Sequence, residues 1–201
     1  MRLPLISCAV LLCALPADGD TTVALAPAAI DVLTSIDAMP TQAALYDAFG
    51  APPLLPDNPL LTIARDPTAD LGVVLRAIRT LPLYCPPVPG ACGNTTVHDE
   101  LVALVESFRT SQGTPLDLLR LRAAVEALGA THSGLATDVT ELLSLFGNAS
   151  RDMRVTVVRA LRNLCNSTAI EPLRQFLSNE QVRQVQLAIS AAVQDLSRCT
   201  N

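Results

Sequence analysis

The chain has 201 residues, half of them hydrophobic, with a formal net charge of −5 and a pI near 4.9. Nucleic-acid binders usually carry a basic surface because phosphate contacts supply most of their affinity, so this balance argues against one; past the N-terminus no run reaches the roughly 20 apolar residues of a membrane span. Trp is absent and only Tyr46, Tyr84, Phe49, Phe108, Phe146 and Phe176 are aromatic, so the apolar content is Leu, Ala and Val, and the first two favour an all-α fold.

Met1 and Arg2 make a short positive start, Leu3 to Leu15 is almost unbroken apolar sequence, and Ala17-Asp18-Gly19 places small residues at a cleavage site. This predicts an export signal over residues 1–19. Leu5-Ile6-Ser7-Cys8 also spells a lipobox that would leave a lipid anchor on Cys8, but only seven residues precede it, and cleavage near Gly19 is the preferred reading. Export bears on the cysteines. Cys8 and Cys13 leave with the signal, and Cys85, Cys92, Cys165 and Cys199 remain. An even number in a secreted or periplasmic protein predicts two disulfides.

Residues 20–50 predict a helical hairpin, with helical patterns over Ala28–Asp37 and Thr41–Phe49. Residues 51–59 form a connector, since "GAPPLLPDNP" carries four prolines and cannot be regular helix throughout. From residue 60 to 201 the apolar periodicity predicts helices over Leu60–Ala64, Ala69–Leu83, Val97–Ser111, Pro115–Leu128, Leu135–Phe146, Met153–Leu164, Ala169–Leu177 and Glu180–Ser197. "CPPVPGACGN" breaks the pattern after the second of these, and Asn179 reads as the N-cap of the last.

Four segments share one pattern: "VLRAIRTL" (Val74–Leu81), "LRAAVEAL" (Leu121–Leu128), "VVRALRNL" (Val157–Leu164) and "ISAAVQDL" (Ile189–Leu196). Each fits apolar-x-x-Ala-apolar-x-x-Leu, and Ala77, Ala124, Ala160 and Ala192 lie 47, 36 and 32 residues apart. A small residue in the middle of an apolar helix face permits close approach of a neighbouring helix, and its recurrence marks stacked helix pairs. On these segments the chain resembles the HEAT-repeat family. The resemblance spans about Leu60 to Leu196 and implies an α-α superhelix of four helix pairs that acts as an interaction scaffold. The family's turn aspartate is matched by Asp66 and Asp152, but its arginine early in the second helix has no consistent match, and the period is uneven. An irregular helical bundle sharing an Ala/Leu face remains the alternative.

In such a stack the second helices run parallel. Cys165 follows Leu164 directly and Cys199 lies three residues after Leu196, so both fall at the same end of adjacent helices. Cys165–Cys199 is therefore the expected long-range bond, with Cys85–Cys92 closing the Pro/Gly loop.

Candidate chemistry is sparse. Cys85, Cys92 and His98 lack the spacing and fourth ligand of a zinc site, so no metal is expected and His98 reads as a surface histidine. Asp99 and Glu100 complement a helix N-terminus, and His132 sits in a solvated turn. H-E-x-x-H, G-x-S-x-G and nucleotide-binding glycine motifs are absent, which predicts a non-enzymatic protein without cofactor. Some HEAT-like proteins handle bilins, but nothing here marks a pigment site. Asn94, Asn148 and Asn166 begin N-x-S/T triplets that would carry glycans only in a eukaryotic source. In "RDMRVTVVRALRNLCN", Arg151, Arg154, Arg159 and Arg162 fall within about 140° of a helical wheel opposite Met153, Val157, Ala160, Leu161 and Leu164. They are a possible interaction surface, with ordinary solvation as the simpler reading. The sequence thus predicts an exported scaffold for a protein partner, and as an alternative an exported carrier holding an apolar ligand between its helices.

Overall fold

The computed structural model describes residues 27–34, 39–86, 88–111, 114–147 and 150–199. The expected export signal, the lipobox with Cys8, and Asn148 lie outside the described residues. Among the described residues the chain forms ten α-helices and no strand: α1 (Pro27–Thr34), α2 (Gln42–Phe49), α3 (Pro59–Arg65), α4 (Leu71–Thr80), α5 (Thr96–Thr110), α6 (Pro115–Ala130), α7 (Ala136–Ser144), α8 (Arg151–Leu164), α9 (Ile170–Asn179) and α10 (Arg183–Leu196).

Polar caps set most of the helix starts. Thr41, Asn58, Asp70, Thr95, Thr114 and Ser150 each offer a side-chain oxygen to an N–H left over in the first turn. Such contacts are worth about 1 kcal/mol each. Proline opens α3 and α6, where its missing N–H costs no hydrogen bond.

Several boundaries differ from expectation for local reasons. The helix expected over Ala69–Leu83 starts only after its Asp70 cap, and near Pro82 it tightens into a 3-10 turn over Leu81–Tyr84. Asn179 does not cap α10; it is the last residue of α9, and its Nδ2 donates to the Gln175 carbonyl. The N-cap of α10 is Val182, without a side-chain cap; the Glu180 carboxylate accepts from the Val182 N–H at 2.8 Å and so orders the turn before the helix. Asp66 does organise its turn, accepting from the N–H and hydroxyl of Thr68 and from the Ala69 N–H. Asp152 sits instead inside the first turn of α8, whose cap is Ser150.

The helices pack in serial order. Each of α4, α6, α8 and α10 packs on the helix before it, and successive members of this set also lie side by side. We call these the second helices and α3, α5, α7 and α9 the first helices. That order is an all-α helical-repeat stack, so the irregular bundle that composition also allowed is replaced.

The second-helix layer is held by small residues. Ala77, Ala124, Ala160 and Ala192 are 2 % exposed or less. Between α6 and α8 the approach reaches the backbone: a methyl group on Gly129 would lie 2.5 Å from Ala160 Cα. Leu81, Leu128, Leu164 and Leu196 close the same face and are fully buried, each worth about 1.5–3 kcal/mol of transfer free energy.

The first-helix layer is joined by polar links. Arg65 of α3 pairs with Glu100 of α5. His98 of α5 meets Asp138 of α7, and Arg109 of α5 reaches Ser144 and Glu141 of α7. Past α7, Phe146 stacks on Phe176 of α9 with ring centroids 4.1 Å apart.

At the N-terminal end α1 packs on α2 and α4, burying Ala29, Leu33, Leu45 and Phe49. Tyr84 donates from its hydroxyl to the Leu45 carbonyl, and Gln42 and Tyr46 donate to the Leu83 carbonyl. Burial, the first cause, pushes the Tyr84 phenol up to about 12, so it stays protonated and keeps donating. At the other end α10 exposes Gln184, Leu187, Ser190 and Gln194.

Candidate interaction surface

The cysteines lie along one edge of the stack, where the second helices end. Cys85 is bonded to Cys92 across the loop after α4, with Cα atoms 5.0 Å apart. Cys165, just past α8, is bonded to Cys199, just past α10, with Cα atoms 5.5 Å apart. Cys165 adopts φ 55°, the left-handed conformation that turns a chain away from a helix end. The loop between α6 and α7 joins these two regions. Its His132 carbonyl accepts from the Gly90 N–H, His132 Nδ1 lies 2.6 Å from the Asn163 carbonyl, and Asn166 Nδ2 donates to the Gly134 carbonyl. His132 is thus exposed, as its turn position predicted, yet tied to the end of α8.

His98 is not a surface residue. It is 7 % exposed, and its Nε2 lies 3.0 Å from both oxygens of Asp138, itself 2 % exposed. The Ser133 hydroxyl donates to the same carboxylate, and His98 Nδ1 faces Asp99 at 3.3 Å. The hydrogen bond to Asp138, opposed by burial, raises the imidazole above its usual range. This is not the geometry of an activated serine. Ser133 bonds to the carboxylate rather than to the imidazole, so the nucleophile–base contact that acyl transfer needs is missing. The arrangement is a satisfied buried network joining α5 to α7.

Cys85 and Cys92 bond to each other, so neither sulfur is free to ligate a metal. Among the described residues no group of three or more His, Cys, Asp or Glu side chains is placed to hold one.

The arginines of α8 do not form a single wet stripe. Val155 and Val158 fall among them on the helical wheel, yet both are buried, because α8 has a second helix on either side. Arg154 is committed to the turn before α10: its Nε and Nη2 meet the two Glu180 oxygens at 2.8 and 3.0 Å. Burial alone would raise the Glu180 carboxyl, but the Val182 N–H and this guanidinium hold it below its ordinary value. Arg151 bonds the neighbouring Asp152. Arg162 pairs with Asp195 of α10, and Arg159 is exposed.

The structure adds partners that the local pattern did not single out. Glu126 on α6 accepts from Arg79 of α4 and from Arg122 of α6, each at 3.0 Å. Asp195 likewise takes Arg162 of α8 and Arg198 beyond α10. A signal existed in the repeat alignment: Arg79, Glu126, Arg162 and Gln194 each stand two residues after the shared alanine. On α6 the same layer exposes Leu116, Leu118 and Leu119, all more than 40 % accessible.

Fold and surface together define an all-α helical-repeat protein, and no described helix is long and apolar enough to cross a bilayer. Residues 153–179, covering most of α8 and all of α9, match the family model described as the PBS lyase HEAT-like repeat. The match supports a HEAT-like repeat over α8 and α9. No curated protein and no solved structure shows a match to it.

Proposed function

We propose that the chain is an exported, non-catalytic scaffold that binds a protein partner through the exposed side of its second helices. The observation that supports this reading is the group Leu116, Leu118 and Leu119 on α6, exposed on a layer of helices that is otherwise close-packed. Clustered exposed leucines cost free energy in water and mark a surface that gains by being covered. HEAT-like stacks are in general non-catalytic and commonly mediate protein contacts, which agrees with this use. Two disulfides and the sequence over 1–19 support an oxidising compartment, periplasmic or extracellular.

The carrier reading has weaker support. A cavity of about 260 Å³ lies between Gln42, Leu83, the loop at Cys85 and His132. Ligand sites usually span roughly 300–1,000 Å³ and enclose most of their guest. This one is an open notch at the edge of the stack.

The test is partner capture with the disulfide-intact chain as bait in the secreted fraction of its source, beside a Leu118→Ser/Leu119→Ser variant of equal helicity. A discrete protein held by the parent and lost by the variant is the expected result. A small molecule extracted from the parent, with no protein captured, would overturn it.

A further inference from the structure

The helices that share the fold do not share its charge. The four second helices carry nine arginines against four carboxylates, a balance of +5. The four first helices carry three arginines against six carboxylates, a balance of −3. The chain as a whole is at −5, so the second-helix layer is basic against the trend of the molecule.

Ion pairing does not cancel this excess where it is exposed. Glu126 serves two guanidiniums, Arg79 and Arg122, and Asp195 serves two more, Arg162 and Arg198. Each cluster retains one positive charge. Arg159 stands between them on the middle helix, exposed, and no carboxylate among the described residues pairs with it. Asp152, seven residues before Arg159 on the same face of α8, is held below its ordinary range by Arg151 and, more weakly, by Arg122. Its charge is thus also already engaged.

We infer that this surface, centred on Arg159 and bounded by the Glu126 and Asp195 clusters, docks an acidic, leucine-bearing segment of a partner protein. Three positive charges spread across the four second helices suit carboxylates spaced along a polypeptide, since guanidinium forks take carboxylates in pairs of parallel hydrogen bonds. Leu118 and Leu119, beside Arg122 on α6, supply the apolar ground where a partner leucine loses its water. Nucleic acid suits the surface poorly. Glu126, Asp152 and Asp195 would face phosphates, and none of the four second helices carries an aromatic residue on which a base could stack. The proposal rests on the reading of the chain as a protein-binding scaffold and adds the partner's chemistry.

It is tested with three amphipathic helical peptides that share one leucine stripe and carry Glu, Gln or Lys on the polar face. Fluorescence anisotropy against the full, disulfide-intact chain reads their affinities. The Glu peptide is expected to bind and the other two to bind at least tenfold more weakly. Arg159→Gln should weaken the Glu peptide about threefold, as an exposed ionic contact does. Arg79→Gln/Arg122→Gln/Arg159→Gln/Arg162→Gln should abolish its binding, and Arg174→Gln on α9 should leave it unchanged. Arg159→Gln breaks no ion pair, so it remains a fair test if the fourfold variant misfolds. Equal binding of the Gln or Lys peptide, or indifference to Arg159→Gln, overturns the acidic partner while leaving the scaffold standing. Heparin or duplex DNA binding as tightly as the Glu peptide overturns it too, in favour of a general polyanion surface. If no peptide binds, this proposal fails, and the scaffold reading is judged separately by the partner capture described above.

Discussion

In the second-helix layer α6 and α8 approach until Gly129 has no room for a methyl group, whereas in the first-helix layer α5 meets α7 through a buried carboxylate, Asp138, bound by His98 and Ser133. One contact depends on volume and the other on protonation. The same stack is therefore stiff towards pH on one side and stiff towards side-chain size on the other, and substitutions in the two layers should fail in different ways.

The largest expected effect is on the bond that ties the second-helix layer at its end. Replacing Cys165 and Cys199 by serine frees a loop spanning 34 residues and should cost about 4 kcal/mol, against about 2.5 kcal/mol for the seven-residue Cys85–Cys92 loop, measured by urea unfolding. Equal costs would mean that loop length does not govern either bond. Next comes Gly129→Ala, which drives a methyl group against the Ala160 backbone and should cost about 3 kcal/mol at every pH between 5 and 9. A loss that varied with pH would blur the division between the layers.

In the first-helix layer, Asp138→Asn leaves His98 and Ser133 facing a neutral amide in a buried site and should cost about 2 kcal/mol in the same unfolding assay at pH 6. The smallest effect is the pH dependence itself. His98 is raised in the folded chain, first through its hydrogen bond to Asp138, so the fold binds this proton more tightly than the unfolded chain does. Its contribution is complete below the ordinary value of about 6.5 and is lost as pH rises through the raised one. The unfolding midpoint should therefore fall over that window in the parent and stay flat in His98→Gln. A midpoint that rises with pH would reverse the assignment.

The two layers also differed in how far the sequence disclosed them. Ala77, Ala124, Ala160 and Ala192 recur in one register, so the second helices and their order were legible from spacing alone. The first-helix links join residues such as Arg65 and Glu100, or His98 and Asp138, that lie 35 and 40 positions apart with no repeated pattern between them. Periodicity carries no information about such pairs, and His98 was misread as a surface residue. On α8 a helical wheel gave the arginines a common side but could not register that neighbours on both flanks bury Val155 and Val158. The surface around Arg159 was legible only in part. Glu126 and Asp195 set its net charge, and each draws in a guanidinium from a helix more than 30 positions earlier.

A stack of near-equal units carries no natural length, since each exposed end invites another unit. Here α1 and α2 occupy the α4 end with Leu33, Leu45 and Phe49, and α10 turns two glutamines, a serine and the lone Leu187 outward at the other. A truncation lacking residues 27–49 would leave α4 as an adhesive head, and head-to-tail growth into open fibres would follow wherever an α10 tail met it.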